Sequence, residues 1–183
     1  LGIEYFLQLD DDYYEFQYKI NARLEYPSNF FTVKSKLSHV FNAMLTYYKT
    51  ISAKSLAMLQ GGDFFGGADG FGAPKRKCMN TFFCSTKRPF HFVGRVNEDV
   101  NTYTWFQGLG NLFLSVPFLM MNQIDTQESR GGMSEMYLDS GTYIKSFYTV
   151  MYAPSCVHVG MMGELHKRLH HRINWKSAVP CIV

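Results

Sequence analysis

The chain begins with an apolar run, Tyr5-Phe6-Leu7-Gln8-Leu9, that stops abruptly at Asp10-Asp11-Asp12. Such a run reads as a buried strand delivering carboxylates to the end of a sheet. Residues 13–20 alternate aromatic and polar side chains, the period of a second strand or hairpin arm. After a turn at Pro27-Ser28-Asn29, residues 32–50 space Val33, Leu37, Val40, Phe41, Met44, Leu45 and Tyr48 by threes and fours. That spacing predicts an amphipathic helix with one face on the core. Residues 55–60 are short and apolar, and residues 77–85 predict a strand around Met79-Asn80-Thr81-Phe82-Phe83.

Further on, Phe92-Val93-Gly94-Arg95-Val96 leads into Asn97-Glu98-Asp99, a second passage from apolar to acidic. Asn97 is a good helix cap, and acids in a first turn complement the helix dipole. Residues 112–121 predict a buried strand, and the polar run 123–130 with Gly131-Gly132 predicts a loop. Residues 133–152 predict a helix whose inner face is Met136, Tyr137, Tyr143, Ile144, Phe147 and Val150, with Gly141 as its weak point. A strand over 157–162, a histidine-rich basic segment over 166–172 and a last strand over 175–183 complete the pattern. Neither an internal repeat nor a linker interrupts it, so residues 1–183 read as one catalytic-domain-sized unit.

Composition narrows the class. With 183 residues, 16 Phe, 12 Tyr and 18% charged residues, the chain is a compact globular one rather than a disordered one. The longest apolar stretch, 112–121, is too short for a membrane span and carries Ser115 and Pro117. Cys78, Cys84, Cys156 and Cys181 lack CxxC spacing and read as reduced core residues of a cytoplasmic protein. The formal charge of +3 does not announce a nucleic-acid binder, but its distribution is uneven. Residues 1–28 hold Glu4, Asp10, Asp11, Asp12, Glu15 and Glu25 against Lys19 and Arg23. Residues 158–183 hold Lys167, Arg168, Arg172 and Lys176 against Glu164, and Lys75-Arg76-Lys77 and Lys87-Arg88 add further bases. An acidic pocket in basic surroundings fits a metal site serving an anionic substrate; solvated surface charge is the plainer explanation.

Three stretches carry candidate chemistry. On a strand, side chains alternate, so Asp10 and Asp12 would leave on one face and Asp11 on the other. Two carboxylates on one side suit Mg²⁺ or Mn²⁺, and a polar turn is the alternative. Glu98 and Asp99 offer a general base at a helix start. The paired glycines of Gly61-Gly62-Asp63-Phe64-Phe65-Gly66-Gly67 let backbone approach a ligand, although the segment lacks the spacing of a P-loop. His166, His170 and His171, amid basic residues, suit metal, stacked bases or phosphates.

The order of these features resembles the GT-A glycosyltransferases. More narrowly, Leu9-Asp10-Asp11-Asp12-Tyr13, Gln60-Gly61-Gly62-Asp63, Arg95-Val96-Asn97-Glu98-Asp99-Val100-Asn101, and His170-His171-Arg172-Ile173 with Ala178-Val179-Pro180 resemble one family. That family comprises the phage and eukaryotic glycosyltransferases associated with TET/J-binding-protein dioxygenases, the base J glucosyltransferases among them. The resemblance implies an α/β GT-A-like fold, a Rossmann-like mixed sheet flanked by helices. Only nine residues precede Asp10, so most of the N-terminal nucleotide-binding half is expected to lie outside this sequence.

The implied activity moves a sugar from a nucleotide sugar, a UDP-sugar first of all, to a hydroxymethylated pyrimidine in DNA. Asp10 and Asp12 would hold the divalent cation, with His170 or His171 completing its site. Asp10, Arg168 and Arg172 would face the donor, and Asp99 with Glu98 would act as base. Gly61, Gly62, Asp63 and Trp105 would meet the acceptor, with Phe64, Phe65 and Tyr103 as further walls for an unstacked base. A metal-dependent nuclease or phosphoesterase, and a binding module that has lost catalysis, are the rival readings of the same residues.

Overall fold

The computed structural model describes residues 2–20, 23, 29–34, 36–60, 77–79, 81–124, 141, 143–163 and 167–178. The backbone divides into two compact units, Leu1–Phe90 with Leu112–Ile124, and His91–Asn111 with Asp125–Val183. Together they make a mixed α/β protein.

In the first unit lie β1 (Tyr5–Gln8), β2 (Tyr13–Tyr18), β3 (Phe31–Thr32), α1 (Leu37–Thr50), β4 (Ser55–Gln60), β5 (Phe82–Ser85) and β6 (Phe113–Gln123). The strands form one sheet in the order β1-β5-β4-β6-β2-β3, in which β4 and β6 are parallel and the other pairs antiparallel. A flat sheet would set β1 and β2 four strand spacings apart, about 19 Å. Residues 9–12, which join them, reach at most about 18 Å when fully extended. The sheet is therefore coiled, and the single residue pairing between β4 and β5, Leu56 with Phe83, is where it has room to bend. Within β6, Met58 pairs with Val116 but Leu59 pairs with Met120, so residues 117–119 bulge out of the ladder at Pro117, which has no N–H to contribute.

Helix α1 starts at Leu37, five residues later than the spacing predicts. Phe31 and Thr32 are used instead as an edge strand on β2, and Lys36 turns left-handed, at φ 55°, before the helix begins. From there the predicted face holds: Met44 and Tyr48 are buried, and Val40, Phe41 and Leu45 pack partly against the same core. At the far end, Arg88 donates to the carbonyls of Ile51 and Ala53, both at 2.6 Å, and of Tyr48 at 3.3 Å. Its guanidinium also lies 4.0 Å from the centroid of the Tyr48 ring. A helix end leaves carbonyls without partners, and this arginine serves as the cap. Lys87 pairs with Glu4 at 2.9 Å. The Lys87-Arg88 pair thus belongs to the architecture of the first unit rather than to an anion-binding surround.

The second unit contains α2 (Glu98–Gly108), α3 (Ile144–Tyr152) and a hairpin of β7 (Val157–Met162) with β8 (Arg168–Ile173). Strand β7 has the bounds the pattern predicts. The last strand does not: residues 175–177 form a turn, and the strand falls on the histidine segment itself. Helix α3 buries Ser146 and Thr149, whereas Phe147, placed by periodicity on its inner face, is 47% exposed. The predicted strand over 77–85 is confined to Phe82–Ser85.

The glycine-rich segment with Gly61, Gly62, Asp63, Phe64 and Phe65 lies outside the described residues, as do Lys75, Arg76, His166 and residues 125–140 and 179–183. Among the described residues, no helix is long and apolar enough to cross a membrane.

Candidate active site

One end of the first unit's sheet carries the aspartates that the sequence singles out. Strands β1, β4 and β6 finish there and β2 begins there, as the pairings Gln8 with Phe82, Gln60 with Met121 and Tyr13 with Gln123 require. Residues 10–12 sit in the link between β1 and β2, beyond the last strand residue Gln8. Alternation along a strand therefore does not aim these aspartates; the link does. The Asp10 N–H donates to the Tyr13 hydroxyl at 3.0 Å, and the Asp11 N–H to Asp10 Oδ1 at 3.2 Å. The Ile124 N–H donates to the Asp12 carbonyl at 3.1 Å, tying the link to the end of β6.

Asp10 and Asp11 face solvent and Asp12 is half-buried. Gln123 Nε2 donates to Asp12 Oδ2 at 3.4 Å, and Gln60 Nε2 donates to Gln123 Oε1 at 3.3 Å. Asp12 Oδ1 is buried with no hydrogen-bond partner among the described residues. Burial, and then the neighbouring Asp10 and Asp11 carboxylates, raise the Asp12 carboxyl above its ordinary range. Burial likewise pushes the Tyr13 phenol up to about 12. A carboxylate with an orphaned oxygen and acidic neighbours has a deficit of positive charge, and a hard divalent cation bound through Asp12 and Asp10 fits that deficit. Among the described residues, no three His, Cys, Asp or Glu side chains are gathered as a metal site. Gln60 opens one of the segments that carry the family resemblance, but neither it nor Gln123 carries charge, and nothing in the sequence pattern joined them to Asp12.

In the second unit, a polar network surrounds the start of α2. Asn97 sits at the cap position, but with φ 57° and without a side-chain cap bond. Its Nδ2 instead donates to Thr149 Oγ1 of α3 at 2.6 Å and lies 3.5 Å from His171 Nδ1 on β8. Asn97 thus joins three elements. Asn101, fully buried, donates to the carbonyls of Val93 and Val96 at 3.1 and 2.9 Å and holds the preceding loop onto the helix. Gly94, at φ +80°, has no room for a Cβ, which would come within 2.9 Å of the Tyr152 ring. Asp99 Oδ1 accepts the Val100 N–H at 2.7 Å.

Lys145, unremarked in the sequence, is the surprise. Burial, and then the Arg168 guanidinium, lower its ammonium below the ordinary lysine range, while Asp99 acts in the opposite direction. Lys145, Asp99 and Arg168 therefore share one electrostatic neighbourhood. The rings of His170 and His171 are 4.3 Å apart between centroids. Arg172 crosses the hairpin over Gly160 and donates to the Met161 carbonyl. Trp105 is 43% exposed on an α2 that is otherwise mostly buried, and Tyr103 stacks on Trp175. Asp10 and Asp12 fall in the first unit, and Glu98, Asp99, Trp105, Arg168, His170, His171 and Arg172 in the second.

The first unit is thus a mixed sheet with one parallel pair, β4 with β6, and with Asp10–Asp12 beyond the end of β1. The model of a family described as TET-Associated Glycosyltransferase matches residues 1–132, and the chain belongs to that family. The match includes Asp10–Asp12, Gly61–Asp63 and Asn97–Asp99 and ends before His170 and His171. No curated protein and no solved structure matches the chain.

Proposed function

We propose that this member of a glycosyltransferase family is a metal-dependent transferase of GT-A-like design, moving a sugar from a UDP-sugar to the hydroxyl of a 5-hydroxymethylpyrimidine in DNA. The observation that carries the proposal is the Asp10–Asp12 link within the family match, ending in a buried Asp12 Oδ1 that has no partner among the described residues, beside the carboxyl ends of β4 and β6. Asp10 and Asp12 would hold Mn²⁺ or Mg²⁺, with His170 or His171 as further ligands. When bound, the cation supplies Lewis-acid stabilisation of the departing nucleoside diphosphate.

The chain's own residues supply the rest. Gln123, itself held by Gln60, fixes Asp12 Oδ2 and so the direction in which Oδ1 points. Asp99, with Glu98 beside it, accepts the proton of the attacking hydroxyl, a contribution of roughly 10²–10⁴-fold in rate. Arg168 and Arg172, joined by Lys145, provide positive charge for the diphosphate as the sugar leaves. Gly61, Gly62, Asp63 and Trp105 border the acceptor. An unpaired base presents its hydroxymethyl group only after unstacking, and the exposed Trp105 ring offers a surface for it.

The test is turnover of UDP-sugars against hydroxymethylated DNA with Mn²⁺ or Mg²⁺. Asp12→Asn should abolish metal-dependent transfer, and Asp99→Asn should lower it by about 10²–10⁴-fold with the donor still bound. Full activity of Asp12→Asn, or of the wild type in chelator, would remove the metal from the mechanism. Cleavage of the DNA without sugar transfer would favour a nuclease.

A further inference from the structure

At the opposite end of β2 from Asp12, about 17 Å along the strand, lies an open groove of about 760 Å³. It is bounded by β2, β3 and the start of α1, all within the first unit. Two neighbouring aromatic rings, Phe30 and Phe31, are 51% and 44% exposed there. Phe31 is held by Tyr18, their centroids 5.4 Å apart and their planes at 30°. Lys34, Lys36 and His39 line the same groove, and no acidic side chain does among the described residues. The acid on the adjoining strand, Glu15, is committed to Thr32 Oγ1 at 2.6 Å, Gln17 Nε2 at 2.7 Å and Asn122 Nδ2 at 3.1 Å.

Exposed flat rings and cations, side by side and with no counter-charge among the described residues, match a ligand with apolar faces and a negative backbone. We propose that this groove binds a single-stranded segment of nucleic acid, its bases stacking on Phe30 and Phe31 and its phosphates meeting Lys34, Lys36 and His39. A peptide strand added at this edge is a poorer occupant, because β3 offers a ladder of two residues only. Binding here requires neither donor nor metal, so it stands or falls separately from the transfer reaction.

The experiment measures anisotropy of a labelled oligothymidylate with the full chain, in chelator and without nucleotide sugar. Phe31→Ala should weaken binding by about tenfold. Phe30→Ala provides a second stacking variant should the first disturb the edge strand, and thermal unfolding reports whether either does. Lys34→Ala and Lys36→Ala should each reduce the slope of log affinity against log salt by about 0.7, the value for one lost single-strand phosphate contact. Wild-type affinity and salt slope in all of these variants would overturn the proposal. So would equal competition by polyglutamate, which has the charge but no bases, or equal binding of a blunt duplex, whose bases are covered.

Discussion

Asp12 is held in its folded environment at a cost. Because burial and the adjacent carboxylates raise its pKa, the native state binds its proton more tightly than the unfolded chain does. Between the ordinary aspartate pKa and the raised one, stability therefore falls as pH rises, and the loss persists above that window. Asp12→Asn should consequently raise the melting temperature at neutral pH in chelator, with the gain disappearing under acid conditions where both side chains are neutral. Mn²⁺ should stabilise the wild type, and the same variant should lose that gain. Thermal melts across pH, with and without metal, read both effects; a variant less stable than wild type at neutral pH would mean that Asp12 serves the fold. A site that weakens its own protein until a cation arrives is the expected signature of binding rather than of architecture.

The elements are fixed by residues the sequence shows only as charge or polarity. Helix α1 has a legible apolar face, yet the chain leaving its C-terminus is held by Arg88 from a distant turn, through the carbonyls of Tyr48 in the last turn and of Ile51 and Ala53 just beyond it. Arg88→Ala should destabilise the protein by about 2–3 kcal/mol, since hydrogen bonds from a charged group and the partners they leave behind are both lost. Urea unfolding should show a lower midpoint at an unchanged slope. Helix α2 depends on Asn97 in a different way from the expected cap: its side chain reaches Thr149 and the vicinity of His171. Asn97→Asp retains the shape but removes the donor, and should cost about 1–2 kcal/mol. It should also lower transfer more than stability if that network positions the late histidine.

At the scale of the whole molecule, the family assignment and the two units set what a ligand can do. UDP with Mn²⁺ should stabilise the full chain at saturating concentration, by about 2.7 kcal/mol at a hundred times the dissociation constant. For a protein of this size that is a rise in melting temperature of several degrees. Neither UDP nor Mn²⁺ alone should match the pair, and equal shifts from either alone would argue against a shared site. The apolar-to-acidic passages at Asp10 and Glu98 were visible because each interrupts a strong local period. Lys145, the Gln60–Gln123 link to Asp12 and the groove beside β3 were not, because each acquires its meaning from side chains far away in sequence.

Local physics was enough for the existence of the strand before Asp10, though not for its expected burial, since β1 ends the sheet with Phe6 exposed, and for the apolar stripe of α1, the acids opening α2 and the bounds of β7. These follow from spacing and from the chemistry of neighbouring residues, which the sequence lays out in order. Asp12 was legible as a carboxylate, and its neighbours as a family resemblance that the match over residues 1–132 now shows. Which oxygen of Asp12 is left without a partner among the described residues was decided only by tertiary structure. So were the late start of α1, the polar buried side of α3 and the strand running through the histidines. In each case a contact between distant segments outweighed a local preference, for burial and hydrogen bonding are satisfied by the folded surroundings and not by the next residue along the chain.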